Sequence, residues 1–308
     1  MSLLVVGSVA LDTVETPFGS AREVLGGSAT YFSLAASTFT RVNLVAVVGS
    51  DFLPHYVELL ETAGVDLTGL QVCEGKTFRW AGRYEYDLNT AHTLRTDLNV
   101  FSSFHPVLPE SYKESEMLFL ANIDPELQLE VLKQATGAKL VVMDTMNFWI
   151  EGKREALTET MSLVDVVLMN EAEVREYAGT YNLIQAARTI LGLGPKILIV
   201  KKGEYGSVMF SDSSYFVAPA YPLENVKDPT GAGDSFAGGF MGWLAYTRDF
   251  SLSSIRKAIV YGSVVASFAV EDFSVGRLLS LTSQEISTRY REFQEFTYFE
   301  HFIDEVNK

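Results

Sequence analysis

The sequence predicts an α/β fold in which a mostly parallel sheet is covered by helices on both faces, with a smaller β element beside it. Three observations carry this. Short apolar runs rich in valine, leucine and isoleucine recur along the chain. Longer stretches with helical periodicity separate them, the alternation expected of βαβ units. One segment, residues 76–104, breaks the rhythm with a strand-like pattern of mixed side chains.

Buried strands are expected at residues 3–9, 42–48, 117–120, 139–143, 164–169 and 196–200, each too apolar to face water on either side. Helices are expected at 54–63, 125–135, 171–178 and 183–191, with two more at 251–270 and 283–298. After Asp234, Phe236, Phe240, Met241, Leu244 and Ala245 recur every three to four residues, which predicts an apolar helix face through Tyr246. Gly238, Gly239 and Gly242 interrupt it at a cost of about 1 kcal/mol each against alanine, so close packing is the expected return. In residues 77–86, Phe78, Trp80, Tyr84 and Tyr86 alternate with charged residues, which with residues 13–18 suggests a small antiparallel platform. A lid over a site and an edge hairpin without a role both fit these residues. With no internal repeat, low-complexity tract or long linker, residues 1–308 read as a single domain with excursions at approximately 13–33 and 76–104.

The chain has 39 acidic and 24 basic residues and a formal net charge of −15. That balance disfavours a general nucleic-acid or anionic-membrane surface. An anionic ligand therefore needs a local trap. Cys73 is the one cysteine, so an intrachain disulfide or cysteine-based metal cluster is excluded. Residues 1–7 lack the basic n-region and long apolar core of a signal peptide, and no apolar run is long enough to span a bilayer. A cytoplasmic protein is expected.

The segment Asp228-Pro229-Thr230-Gly231-Ala232-Gly233-Asp234 places two glycines and a carboxylate at the expected mouth of a helix. Glycine lets backbone amides approach an anion, and a helix N-terminus adds roughly half a unit of positive charge. Asp234 then stands where a proton from an attacking hydroxyl would be accepted. A simple helix cap explains the same residues.

Context adds weight, because ligands of open α/β sheets collect beyond the carboxyl ends of the strands. Asp12, Gly26-Gly27, Asn122, Asp124, Asp144, Asn147, Asn170 to Glu173 and Lys201 to Gly203 all follow predicted strands. Each alone is as readily a turn or cap residue. Asn170 and Glu173 share a helix face and would suit a hydrated cation, although N-capping by Asn170 is the simpler reading. No P-loop, dinucleotide fingerprint, protein-kinase set or serine-hydrolase elbow is present, and the histidines lack zinc spacing. Phosphoryl transfer with another phosphate cradle remains.

Residues 228–236 resemble the C-terminal signature of the ribokinase-like, or PfkB, carbohydrate kinases. Gly26-Gly27-Ser28-Ala29-Thr30 is similar to that family's N-terminal glycine motif, and Asn170 to Glu173 to its Asn-x-x-Glu element. Tyr31 departs from the pattern, near a position commonly held by asparagine. The resemblance implies a three-layer α/β/α sandwich with a β-sheet lid, ATP as donor, Mg2+ as cofactor and an exposed hydroxyl as acceptor. It implies Asp234 as base, the amides of Gly231, Ala232 and Gly233 as anion hole, and Asn170 and Glu173 organising magnesium through water. Asp12, Gly26 and Gly27, with Asn122, Asp124 and Arg83, become acceptor-site candidates. Lys201, Gly203 and the loop from Val270 to Gly276 fall near the nucleotide. Asp228 and Thr230 resemble part of a monovalent-cation loop, which implies K+, and family members often pair through their lids, which implies a homodimer. Three functions follow in order: phosphorylation of a small sugar, phosphorylation of a nucleoside by the same machinery, and binding without catalysis by a sugar or nucleotide regulator. The intact glycines and Asp234 weigh against the third.

Overall fold

A computed structural model describes residues 1–298 of the chain. Residues 299–308 of the expected domain lie outside the described residues. In chain order the strands begin with β1 (Leu3–Val6), β2 (Ala10–Thr16), β3 (Gly19–Gly26), β4 (Val42–Gly49), β5 (Val65–Cys73), β6 (Phe78–Tyr84) and β7 (Ala91–Asp97). They continue with β8 (Met117–Leu120), β9 (Leu140–Asp144), β10 (Val166–Asn170), β11 (Ile197–Lys201), β12 (Ser207–Ser211) and β13 (Tyr215–Ala218).

A nine-stranded sheet has the order β13-β12-β11-β10-β9-β8-β1-β4-β5. It is parallel from β5 to β11, with β12 and β13 antiparallel at one edge. Alternate residues of β1 feed opposite cores: Leu3 and Val5 pack with Phe32, Phe240 and Val265, while Leu4 and Val6 pack with Val131, Met161 and Ile190. Both faces are thus dry, which is why the central strands read as unbroken apolar runs. From β1 the chain winds to β4 on one side and later to β8 on the other. The reversal opens a crevice at the carboxyl ends of β1 and β8.

Strands β5, β12 and β13 were not expected from the sequence. β5 and β13 line the two edges of the sheet, where one flank is open, so exposed residues interrupt their patterns. The strand expected at 3–9 stops at Val6, because Gly7 to Val9 carry the chain out into the smaller sheet. That second sheet has the order β3-β2-β6-β7. It is mixed rather than antiparallel, since β2 and β6 pair in parallel. Each follows the carboxyl end of a parallel main-sheet strand, β1 or β5, so both leave in the same direction. Residues 28–33, expected within the first lid excursion, instead open the helix Ser28–Ser37 of the main body. Among the described residues no helix is long and apolar enough to cross a membrane.

The helix Ala232–Thr247 runs between the helices Ser28–Ser37 and Leu252–Ala269, and its glycines allow the approach. A Cβ at Gly238 would stand 2.4 Å from the Phe32 carbonyl oxygen and 2.6 Å from the Ala35 Cβ. Such overpacking outweighs the helical gain of alanine. Gly238→Ala is expected to lower stability by about 1–3 kcal/mol in urea unfolding. Gly152→Ala, where an added Cβ meets nothing within 4 Å, should stay within about 0.5 kcal/mol of wild type; equal effects would show that the glycine helix is not tightly packed.

Candidate active site

The helix Ala232–Thr247 begins at Gly231, whose φ of 74° is left-handed and whose Cα lies against the Tyr31 ring. An added Cβ would stand 2.3 to 2.4 Å from three ring carbons. Backbone and contact both require glycine here. Ser235 N–H closes the first turn on the Gly231 carbonyl at 2.8 Å. Among the described residues the Gly231 and Gly233 amides have no partner, whereas Ala232 N–H donates to the Pro229 carbonyl at 3.1 Å. The expected hole of three amides therefore offers Gly231 and Gly233, with Ala232 committed to the turn.

Asp234 follows, partly open to the cleft. Enclosure pushes its pKa up to about 8, reinforced by Asp144 and Asp12 and opposed by Lys201. Lys201 ends β11, and its ammonium pairs with Asp144 at the end of β9. Burial works against that charge, yet Asp144 and Glu173 outweigh it and raise the lysine pKa. The ammonium lies 3.0 Å from where a Gly233 Cβ would be, directly beneath the free amides. This is a ready counter-charge for an anion.

On the other side stands Asp12, in β2 of the smaller sheet and 4% exposed. Its Oδ2 accepts the Gly27 N–H at 3.3 Å, and the carboxylate covers Gly26, where a Cβ would fall 1.9 Å from Oδ2. Burial raises the Asp12 pKa to about 7, with the charge of Asp228 adding to it. The smaller sheet closes over the cleft. Thr16 Oγ1 donates to the Lys227 carbonyl at 2.9 Å, Thr230 Oγ1 to the Tyr84 hydroxyl at 3.3 Å, and Asn89 Nδ2 to Glu204 at 3.4 Å.

Other expected site residues take different places. Arg83 pairs with Glu15 at 2.9 Å on the outer face of the lid, 57% exposed. Alternation along β6 turns it away and aims Tyr84 inward. Asn122 accepts the Trp149 indole N–H at 3.0 Å. Asp124 caps the helix Pro125–Gln134 and pairs with Lys153 at 2.6 Å. Both are engaged by the helix layer. Two of the lid aromatics face inward: Trp80 shares the face of Asp12, and Phe78 stacks on Phe101 at 5.4 Å. Tyr86 is the exception, 84% exposed and packed edge-on against Phe18 at 6.1 Å.

Asn170 and Glu173 form a capping box on the helix Glu171–Ala178. Glu173 N–H donates to Asn170 Oδ1 at 2.8 Å, while Asn170 N–H and Nδ2 donate to the two Glu173 oxygens at 2.7 Å. Burial raises Glu173 to about 7 against the pull of Lys201. Gly203, with φ 55°, lies under the lid turn: a Cβ there would meet Asn89 Oδ1 at 2.7 Å. Val270 receives the Lys227 and Asp228 amides on its carbonyl, and the exposed Gly276 starts a short helix after it. Asp228 is 1% exposed and accepts the amides of Thr230 at 2.8 Å and Ser274 at 3.4 Å, so it knits the glycine loop to the segment 270–276. Among the described residues no group of three or more His, Cys, Asp or Glu forms a metal cage.

Three contributors escaped the sequence reading. Asp144 was visible as a strand-end carboxylate, but its pairing with Lys201 spans two strands and needs the register. Gln128 reaches across from the helix layer, donating to the Ala121 and Asp144 carbonyls at 2.9 and 3.1 Å and tying β8 to β9. Tyr84 had a signal in the alternation of β6, which identifies one inward face without saying which.

Residues 3–280 match the model of the pfkB family of carbohydrate kinases. A cytidine kinase of Thermococcus kodakarensis is 31% identical over 253 residues, covering 80% of this chain and 89% of that protein. A nucleoside kinase of Methanothermobacter thermautotrophicus is 28% identical over 296 residues, 88% of this chain and 89% of its own. The crystal structure of the Methanocaldococcus jannaschii nucleoside kinase, a ribokinase-family member, shares the fold with a TM-score of 0.76 at 24% identity, over 95% of this chain and 99% of that one.

Native Asp234 keeps a proton up to about pH 8, whereas an unfolded aspartate loses it near pH 4. Between those values the folded state binds the extra proton, so this group's stabilising contribution is full below about pH 4 and is lost as pH rises through about 8. Asp234→Asn removes that dependence. Its stability relative to wild type should grow by about 4 kcal/mol between pH 5 and pH 9 in urea unfolding; a flat difference would show that Asp234 titrates as an ordinary carboxylate.

Proposed function

Because the chain belongs to the pfkB family of carbohydrate kinases, we propose that the glycine loop and Asp234 transfer the γ-phosphoryl group of ATP to the ribosyl hydroxyl of a nucleoside. ATP-dependent phosphorylation of a sugar or sugar-like hydroxyl is the activity of the family. The nucleoside is the narrower reading. It is supported by the cytidine and nucleoside kinases among the relatives and by the inward face of the lid, where Trp80 and Tyr84 offer aromatic surface for a base.

One observation carries the reading: the Asp234 carboxylate at a glycine-opened helix start follows two unpaired amides, with the half-buried Lys201 ammonium close to Gly233. Asp12 takes hydrogen bonds from ring hydroxyls and orients the acceptor. Asp234 accepts the proton of the attacking hydroxyl. The amides of Gly231 and Gly233 donate to the transferring group, and Lys201 offsets its charge from below; preorganised donors of this kind are worth about 3 kcal/mol each. Tyr84 and Thr230 close the cleft and exclude water that would compete as acceptor.

Family kinases use magnesium with ATP, and the residues fit a hydrated cation rather than a cage. Asn170 holds both Glu173 oxygens in place while leaving lone pairs for water. When bound, magnesium offsets phosphate charge. A monovalent cation such as K+ is the finer reading of the loop bounded by Asp228 and Thr230, supported by the buried Asp228 carboxylate at its centre.

A coupled ADP-release assay across nucleosides, pentoses and hexoses tests the acceptor class, with cytidine expected among the best and sugar-only turnover sinking the nucleoside reading. Asp234→Asn should cut kcat at least about a hundredfold. For wild type, kcat/KM for the acceptor should rise with pH to a limb near 8, because the free enzyme's base must be ionised. A profile flat from pH 6 to 9 would assign the proton to another group.

A further inference from the structure

Ser274 stands where the two halves of the site touch, and it has no part in the steps above. Its backbone is left-handed, with φ 57°, a conformation uncommon outside glycine, asparagine and aspartate. Its two donors serve different sides of the cleft. The Ser274 amide donates to Asp228 Oδ2 at 3.4 Å, and its hydroxyl donates to the Leu25 carbonyl at 2.5 Å.

Both partners lead directly to the proposed reacting groups. Asp228 also accepts the Thr230 amide at 2.8 Å, and so holds the loop that ends in the free amides of Gly231 and Gly233. Leu25 is followed in β3 by Gly26, which the Asp12 carboxylate covers, and then by Gly27, whose amide donates to Asp12 at 3.3 Å. The neighbouring residue grips the far end of the same strand. Ring carbons of Phe273 lie 3.1 and 3.3 Å from where a Gly19 Cβ would stand.

The segment that carries Phe273 and Ser274 is anchored from behind. Glu271 accepts Arg289 at 2.7 Å on one oxygen and Arg277 at 2.9 Å on the other. Both guanidinium groups lie over the Phe268 ring, at 3.5 and 4.6 Å. Arg289 belongs to the helix Ser283–Thr297, so charge-assisted bonds fasten the segment to the body of the protein. A segment held in this way passes a shift from one end to the other instead of absorbing it.

We propose that Ser274 is a positioning residue that couples the two substrate sites. A phosphoryl group seated on the glycine loop fixes Asp228, Asp228 fixes Ser274, and the Ser274 hydroxyl holds β3 and its glycine pair where the acceptor binds. The inference rests on the proposed function for the ligand on each side. Such coupling is reciprocal, each ligand raising affinity for the other by one common factor. A single hydrogen bond supplies a factor of about three to ten.

Two variants test it: Ser274→Ala removes the hydroxyl and keeps the left-handed backbone, whereas Ser274→Gly removes the hydroxyl and relieves that backbone. Amide hydrogen exchange is followed in the free protein and with the non-hydrolysable ATP analogue AMP-PNP and Mg2+ alone. Calorimetry then gives Kd for cytidine and for D-ribose, with and without AMP-PNP. In wild type, AMP-PNP should slow exchange at residues 19–26 as well as in the glycine loop, and should tighten the acceptor about three- to tenfold. In both variants the slowing should stop at the glycine loop and the coupling factor should fall to about one, with the AMP-PNP Kd in the absence of acceptor unchanged. Exchange at residues 19–26 that responds to AMP-PNP alike in wild type and variants overturns the proposal, as does a wild type in which those residues do not respond. Loss in Ser274→Ala with retention in Ser274→Gly also overturns it, by assigning the effect to the backbone. If neither cytidine nor D-ribose binds, the acceptor reading fails, and exchange at residues 19–26, which needs no acceptor, still decides the role of Ser274.

Discussion

One half-buried ammonium surrounded by carboxylates is the constraint on which the site depends. Lys201 pairs with Asp144 while Glu173 and Asp234 act on it from the sides. Removing such a charge from water costs several kcal/mol, and the cost is recovered only when partners are held in place. The parallel sheet supplies the holding. Asp144, Asn170 and Lys201 end three adjacent strands, Gln128 ties β9 to β8, and the capping box fixes Glu173. A protein of net charge −15 repels phosphate over most of its surface, so a fixed cation under a helix N-terminus is what makes this one place receptive.

The two sheets divide the chemistry. The main sheet and its helices carry Asp234, Lys201 and the free amides; the smaller sheet carries Asp12 and Tyr84. Under the proposed roles, acceptor and phosphoryl group meet only with the smaller sheet over the cleft, where side chains at strand ends and turns hold it. Asp12, Asp228 and Asp234 are enclosed around the cleft, and burial raises the pKa of each, with the charge of Asp228 adding to Asp12 and that of Asp144 and Asp12 to Asp234. Closure thus strengthens the base while making the empty site costly. Substrate hydroxyls between Asp12 and Asp234 relieve part of that cost, which links binding to the closed form.

The central strands and the strand-end residues were legible because burial on both faces writes a continuous apolar run that stops where the ligand side begins. The edges were not, since β5 and β13 mix exposed and buried positions. Within the lid, the alternation along β6 was visible, yet the choice between Arg83 and Tyr84 turned on a parallel register with β2 that places Arg83 beside Glu15 and Trp80 beside Asp12. Such pairing is set by where two chain segments leave the main sheet, which no local pattern records. The glycine loop was readable as an anion cradle, but not that Ala232 spends its amide on Pro229, because turn geometry decides that bond.

Capping by Asn170 and the proposed cation role of Asn170 and Glu173 present themselves in the sequence as rivals, yet the two are compatible. The capping box orders the Glu173 carboxylate by giving each oxygen one donor from Asn170, and an ordered carboxylate is what a hydrated cation requires of an outer partner. Without the cap, Glu173 would be free to turn toward Lys201, whose ammonium already attracts it. That collapse would neutralise the charge beneath Gly233 and remove the counter-charge from the phosphoryl position. The cap therefore keeps the negative and positive members of the site apart, and Asp144 keeps Lys201 centred between them. The same local bonds that begin a helix thus preserve the separation of charge on which the proposed phosphoryl transfer at Gly231 and Gly233 relies.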